Sequence, residues 1–315
     1  MIALAFPDRI AQRRESGRYF LSNGRGAVLP SAQAISGAPY LAAAELDDQG
    51  SESKIYLAAP LELDEVERAF ADQIEEERVV YWDSGQKSVR ARLRKKLGAL
   101  ILRESSITDL DTEETVQALL SGIAAEGLEL LPWSKQARQL QRRLQFLHLQ
   151  DPSHWPDVSD DSLRGSLSDW LGPHIGGMKS VADLQRLALS EILLGLVSWE
   201  QRRELEKEAP SHIEVPSGSR IPIDYTDPAA PVLAVRLQEM FGLTDTPRIW
   251  RGRVPLTLHL LSPAQRPVQV TRDLSSFWKT TYFEVKKDLK GRYPKHYWPD
   301  DPMQAAPTNR TRPRL

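Results

Sequence analysis

The 315-residue chain contains no cysteine, which excludes disulfides, thiolate nucleophiles and cysteine zinc sites together and leaves packing to hold the fold. It has no apolar run near the ~20 residues needed to span a bilayer. Its opening Met1-Ile2-Ala3-Leu4-Ala5-Phe6 is short and without a basic flank. A protein that is neither secreted nor membrane-embedded is expected, with the cytoplasm as its compartment. Catalytic signatures are missing as well: there is no G-x-x-x-x-G-K-S/T loop, no Walker B box, no H-E-x-x-H and no G-x-S-x-G. Asn23-Gly-Arg-Gly26 and Pro216-Ser-Gly-Ser-Arg220 are glycine-bearing, but the first lacks the lysine and hydroxyl that would hold phosphates and magnesium, and a tight turn is the reading for both. The six histidines are scattered; His212 and Glu214 share a strand face, yet no third metal ligand accompanies them. Neither a catalytic residue nor a metal or cofactor site is therefore expected in the chain. Excess charge of one sign is also lacking, since 41 Lys and Arg stand against 43 Asp and Glu. Nucleic-acid binding can thus be argued only from how charge is distributed.

That distribution is uneven. Acidic residues gather at Glu45, Asp47, Asp48 and Glu52, from Glu62 to Glu77 and from Glu104 to Glu114, whereas Lys87 to Lys96 carries six positive charges and no acid. Its alternation is of strand type: Val89, Ala91 and Leu93 would face a core while Arg90, Arg92 and Arg94 line the opposite face. A basic row suits a phosphate backbone; the alternative is a solvated face whose arginines pair with the neighbouring acidic helix. Arg18, Tyr19 and Arg25, near the first predicted hairpin, join Lys87, Arg90, Arg92, Arg94 and Lys96 as candidates for nucleic-acid contact, Tyr19 also reading as a half-buried strand aromatic.

The chain is 41% hydrophobic and long enough for two or three units. Extended runs at 19–21, 26–29, 40–46 and 54–59, separated by turn chemistry at Asn23-Gly24, Ser36-Gly37 and Asp47 to Gly50, predict a small antiparallel meander. A helix over 63–77 and strands at 78–82, 87–94 and 97–103 would complete an OB-type barrel across 17–110. A helical section spans 111–210: a helix from Asp111 to Gly127, a basic amphipathic helix from Ser134 to Gln150 with Lys135, Arg138, Arg142 and Arg143 opposite Leu140, Leu144 and Leu147, and a long helix over 180–208 that bends or breaks near Gly195. Alternation returns at Ile213 to Tyr225 and Val254 to Leu261, with a short helix over 231–241 between them and another over 273–290. The expected class is α+β: a barrel, a helical section, a mixed α/β domain over 211–302 ending in an aromatic and proline-rich arm, and a loosely held tail over 303–315 bearing Arg310, Arg312 and Arg314. Tyr293, Tyr297 and Trp298 of the arm could stack bases but more naturally clip the arm onto its own domain.

Ala5-Phe-Pro-Asp-Arg-Ile-Ala-Gln-Arg-Arg14, Tyr19 to Pro30, His212 to Arg220, Val254 to Leu261, Phe277-Trp278, Arg292-Tyr-Pro-Lys-His296 and Trp298-Pro-Asp-Asp-Pro302 together resemble the C-terminal half of the HrpB family, DEAH-box ATP-dependent RNA-helicase-like proteins of bacteria. The resemblance implies that two RecA-like motor domains, a winged helix and a helical bundle precede this region, that residues 1–16 correspond to the end of that bundle, and that an OB-type barrel and a family-specific C-terminal region follow. ATP and magnesium would belong to the upstream motor, with no position here inheriting a nucleotide-binding role. The implied partners are single-stranded nucleic acid, RNA rather than DNA, the protein's own motor domains, and a regulatory protein. A scaffold that docks a partner or stabilises the motor is the competing function, and no membrane is involved.

Overall fold

The computed structural model describes residues 2–47, 50 and 52–313. The chain divides into two units, Met1–Gly122 with Gly177–Ser180, and Ile123–Gly176 with Val181–Leu315.

The first unit opens with α1 (Ile2–Ala5), followed by five strands: β1 (Ile10–Glu15), β2 (Arg18–Leu21), β3 (Gly26–Val28), β4 (Tyr40–Asp47) and β5 (Ser53–Leu61). They close into a barrel in the order β1-β2-β3-β5-β4. β4 pairs antiparallel with β1, and β3 pairs parallel with β5. Period-two alternation assigns each strand two jobs. Ala11, Tyr19, Leu21, Ala27, Leu41, Ala43 and Ile55 fill the interior, where three alanines suit so narrow a barrel. The alternate residues Ile10, Tyr40 and Ala42 build a second core with Val66, Phe70, Leu97, Leu100 and Leu102. β1 lies within the stretch expected to end a helical bundle, and it belongs to the barrel instead. Asp48 and part of the turn expected at 47–50 lie outside the described residues, as does Met1.

The predicted helix over 63–77 is shorter: α2 (Leu63–Ala69) carries a capping box in which the Glu62 N–H donates to Glu65 Oε2 at 2.9 Å, and after one 3₁₀ turn the chain extends. The strands that follow, β6 (Ile74–Asp83), β7 (Ser88–Leu97) and β8 (Leu100–Ile107), do not join the barrel but form a separate antiparallel sheet in the order β6-β7-β8. The β6–β7 turn is set by Asp83 Oδ1, which accepts from the N–H groups of Gly85 and Gln86 at 2.9 Å each. Gly98, at φ 55°, makes the β7–β8 turn; a Cβ there would meet Ser22 O at 2.3 Å, and the next N–H, of Ala99, donates to that oxygen at 2.8 Å. α3 (Thr112–Glu126) is capped by Asp111 Oδ1 and stops before Gly127, as its pattern predicts. Gly122 lets α3 approach β6, since a Cβ there would sit 2.3 Å from the Trp82 ring.

The second unit begins with α4 (Lys135–Gln150), capped by Ser134 Oγ accepting from Ala137 N–H at 3.0 Å. Short helices follow: α5 (Asp160–Gly165), α6 (Leu167–Trp170), α7 (Val181–Leu184), α8 (Leu189–Leu194) and α9 (Trp199–Glu208). The long helix expected over 180–208 is thus three, because Ser198 opens α9 with its own capping box to Gln201. β9 (His212–Glu214), β10 (Arg220–Asp224), β11 (Val232–Arg236), β12 (Arg248–Ile249), β13 (Val254–Pro255), β14 (Thr257–Leu261) and β15 (Pro267–Thr271) come next. A five-stranded sheet runs β15-β14-β11-β10-β9, with β11 and β14 parallel, while β12 and β13 form a two-stranded hairpin. The helix expected over 231–241 is β11 and one 3₁₀ turn: pairing on both sides of Val232–Arg236 outweighs local helical spacing.

α10 (Leu274–Thr280) and α11 (Tyr282–Arg292) divide the helix expected over 273–290. Trp278 and Tyr282 pack on Phe241 at 5.9 and 6.1 Å between ring centroids. The polar ends of both rings are satisfied, Trp278 Nε1–H by Leu243 O and Tyr282 O–H by Pro299 O. The tail expected to be loose is hydrogen-bonded as far as it is described. Gly242 N–H donates to Pro302 O at 2.9 Å, Thr308 N–H to Gln238 O at 3.0 Å and Gln238 Nε2 to Arg310 O at 2.5 Å, and Ala305 and Thr308 are buried. Arg314 lies outside the described residues.

Candidate nucleic-acid interface

The basic row resides on β7, where Val89 and Ala91 are buried, Leu93 is half-buried and Arg90 is exposed. Cross-strand register decides which residues share the arginines' face, because residues opposite one another in an antiparallel pair project the same way. Tyr81, Val79 and Glu77 of β6 stand opposite Arg90, Arg92 and Arg94, and Ser106 and Glu104 of β8 stand opposite Arg92 and Arg94. The face is therefore not uniformly basic. Glu104 pairs with both Arg92 and Arg94, the latter through Arg94 Nε at 2.6 Å, and Glu77 stands 3.3 Å from Lys96 Nζ and 4.0 Å from Arg94. Lys95 pairs with Glu76 at 3.6 Å. Hydrogen bonds from Arg94 and Arg92 hold the Glu104 carboxyl below the usual carboxylate range. The counter-charges come from neighbouring strands, not from the acidic helix α2. That helix instead holds Arg103 of β8, through Glu67 at 2.6 Å and Asp64 at 3.3 Å.

At the other end of the row the balance differs. Arg90 reaches Gln86 of the turn, and the Arg92 guanidinium lies 5.4 Å from the Tyr81 ring centroid. These side chains, with Ser106, Thr108 and Lys179, line a concavity of about 350 Å³, whose one carboxylate, Asp83, is engaged in the turn. The Lys179 carbonyl accepts from Val89 N–H at 2.7 Å, which fixes that segment beside β7. Tyr81 and Lys179 were not singled out by sequence; the missing signals were the β6–β7 register for Tyr81 and the bond of the Lys179 carbonyl to β7.

The remaining predicted residues are dispersed. Arg18 begins β2 and lies 3.8 Å from Glu52. Tyr19 is buried in the barrel with its O–H donating to Ile35 O at 2.9 Å, so its ring has no face free to stack a base, correcting its candidacy. Arg25 donates to Gly50 O at 3.1 Å, and Lys87 occupies the turn at φ 52°. In α4 the expected basic face loses Arg143. That side chain is buried and donates to Ala209 O at 2.6 Å, Leu205 O at 3.3 Å and Glu206 at 2.7 Å, closing the C-terminal carbonyls of α9. His212 and Glu214 are exposed on β9; among the described residues no three potential ligands assemble into a metal site. No helix among them is long and apolar enough to cross a membrane.

The described residues thus hold a closed five-stranded barrel, a charged three-stranded sheet and a mixed five-stranded sheet with helices. The family model for the HrpB connector region matches residues 73–107, the span of β6 to β8, and that for the ATP-dependent helicase C-terminal region matches residues 170–302. The chain carries the connector and C-terminal regions of the HrpB family. It is 45% identical over 317 residues to the ATP-dependent RNA helicase HrpB of Escherichia coli (strain K12), covering 99% of this chain and 39% of that protein's length. Two crystal structures of E. coli HrpB are similar to it. One, of a DExH-box NTPase, has a TM-score of 0.63 and 44% identity over 98% of this chain and 39% of its own; the other, of a DEAH/RHA helicase, has 0.55 and 41% over 94% and 37%.

Proposed function

We propose that the chain is an accessory C-terminal region of an ATP-dependent RNA helicase that holds single-stranded nucleic acid, RNA rather than DNA, beside motor domains that supply ATP and magnesium chemistry. The observation that carries this reading is the concavity formed by Tyr81, Arg90 and Arg92, where guanidinium groups and an aromatic ring share one face, Arg90 exposed and the other two half-buried. The barrel adds support: a closed five-stranded order with β1 returning to β4 and β3 parallel to β5 is what an OB-type barrel requires, and that fold offers a face and loops to oligonucleotides. The reading is tested by titrating a fluorescent single-stranded RNA into the protein at low and moderate salt, wild type against Arg90→Ala/Arg92→Ala. Loss of about two phosphate contacts should lower affinity several-fold and flatten the dependence of log K on log salt by ~1.4. Equal binding by the two proteins would refute it.

The ion pairs of Arg94, Lys95 and Lys96 favour a second reading for that half of the sheet: a scaffold that docks the motor domains or a protein partner. Salt-insensitive association with a partner protein, unaffected by the double substitution, would identify it.

A further inference from the structure

The β12–β13 hairpin places three arginines at one exposed tip. Arg248 lies on β12, and the loop Trp250-Arg251-Gly252-Arg253 joins the strands. The guanidinium carbons of Arg253 and Arg251 lie 5.3 and 5.9 Å from the same Trp250 ring centroid, and Arg248 Nη1 donates to Arg253 O at 3.2 Å. Among the described residues no carboxylate stands within ion-pair distance of any of the three guanidinium groups. Glu208 is buried and spends its Oε2 on the backbone N–H of Arg251 at 2.7 Å, and its own carbonyl takes the Trp250 N–H at 3.0 Å.

The tip is also strained. Trp250, Arg251 and Gly252 follow one another at φ 46°, 57° and 71°, a left-handed run in which only the third residue is the type that adopts it without cost. Glycine or asparagine at the first two positions would relieve the backbone, but glycine would remove the side chain and asparagine would supply no guanidinium. The two Glu208 hydrogen bonds hold the strained form, which converges two guanidiniums on one indole.

We propose that this tip is a second binding site, for the phosphodiester backbone of single-stranded nucleic acid. Guanidinium forks pair with phosphate oxygens in bidentate fashion, which a lysine cannot reproduce, and flat guanidinium and indole planes accept bases by stacking. A site preorganised by backbone strain, in which the one carboxylate, Glu208, is spent on a backbone N–H and none is paired with a guanidinium, meets a phosphate without first breaking an internal ion pair, unlike Arg92 and Arg94 on β7.

The test uses the 315-residue chain and a fluorescein-labelled single-stranded oligoribonucleotide, titrated across a salt series, with Arg251→Gly/Arg253→Ser as the variant. Glycine suits φ 57°, so the variant should melt no lower than the wild type. Affinity is expected to fall about tenfold and the salt slope to shrink by ~1.4, for two lost contacts on a single strand. Arg251→Lys/Arg253→Lys, which keeps charge but not the fork, should bind between the two. Unchanged affinity and slope in the glycine variant would overturn the proposal, as would absence of binding by the wild type at low salt. Displacement of the oligonucleotide by polyglutamate of equal charge would also overturn it, assigning the tip to an acidic protein. The two sites read separately: if only Arg90→Ala/Arg92→Ala loses affinity, the sheet holds the strand and the tip does not.

Discussion

Two arginine-rich segments of this protein look alike as strings of residues and differ in where their counter-charges stand. Lys87 to Lys96 has no acid of its own, yet Glu76, Glu77 and Glu104 reach it from the strands on either side. Arg248 to Arg253 has no acid of its own either, and among the described residues none is supplied by its neighbours except the buried Glu208, which binds backbone. The lesson is that the density of arginine sets the charge, and strand register sets how much of it a ligand can use. Exposed pairs of the β7 kind contribute little to stability, but a phosphate must displace a carboxylate to reach them.

The comparison can be broken most sharply at Glu208. Glu208→Ala would remove the side-chain acceptor for Arg251 N–H while keeping the backbone carbonyl that takes Trp250 N–H, so the strained tip loses one of its two anchors, and the chain should lose about 1–3 kcal/mol in urea unfolding. RNA affinity should fall with it; retained affinity would show that the tip conformation is irrelevant to binding. The effect expected next in size has the opposite sign. Glu104→Gln frees Arg92 and Arg94 from their shared carboxylate and should raise RNA affinity about threefold with a steeper salt slope, making the β7 row resemble the hairpin tip. The same variant carries a pH signature. The folded-state pKa of Glu104 is depressed by Arg94 and Arg92, so its stabilisation is present above the ordinary carboxylate range and is lost as pH falls through the lowered value. The small difference in melting temperature between wild type and Glu104→Gln should therefore close on acidification, and a gap that widens would contradict the pairing. The smallest effect is expected from Arg94→Ala, which removes a guanidinium already shared between Glu104 and Glu77 and should leave affinity within about twofold, measured beside Arg90→Ala.

Much of the fold was legible locally. Asp111 at a helix start, Gly127 at its end and the alternation of Val89, Ala91 and Arg90 all act through neighbours in the chain, and the helix α3 and strand β7 follow them. Among the misread elements, distant pairing overrode local spacing at β11, read as a helix, and it set β6 to β8 apart as a sheet of their own; β1 stands where the resemblance implied a helical end, and the helices over 63–77, 180–208 and 273–290 are shorter or divided. The candidate site divides the same way. The arginine face of β7 could be named from alternation, but Tyr81 and Lys179 could not, because hydrogen-bond register across β6 and the segment 177–180 brings them there. Arg143 sits in an amphipathic pattern identical in kind to that of Arg142, and only the carbonyls at the end of α9 explain why one is buried.

By itself the sequence determined that this chain builds cysteine-free packed cores of mixed α and β structure, has no nucleotide-binding loop and shares its terminal motifs with one helicase family, because composition and contiguous motifs are complete in the chain itself. The tertiary structure alone decided which positive charges are answered by carboxylates and which are left exposed. Electrostatic pairing depends on separations of a few ångströms between residues far apart in sequence, and folding alone sets those separations.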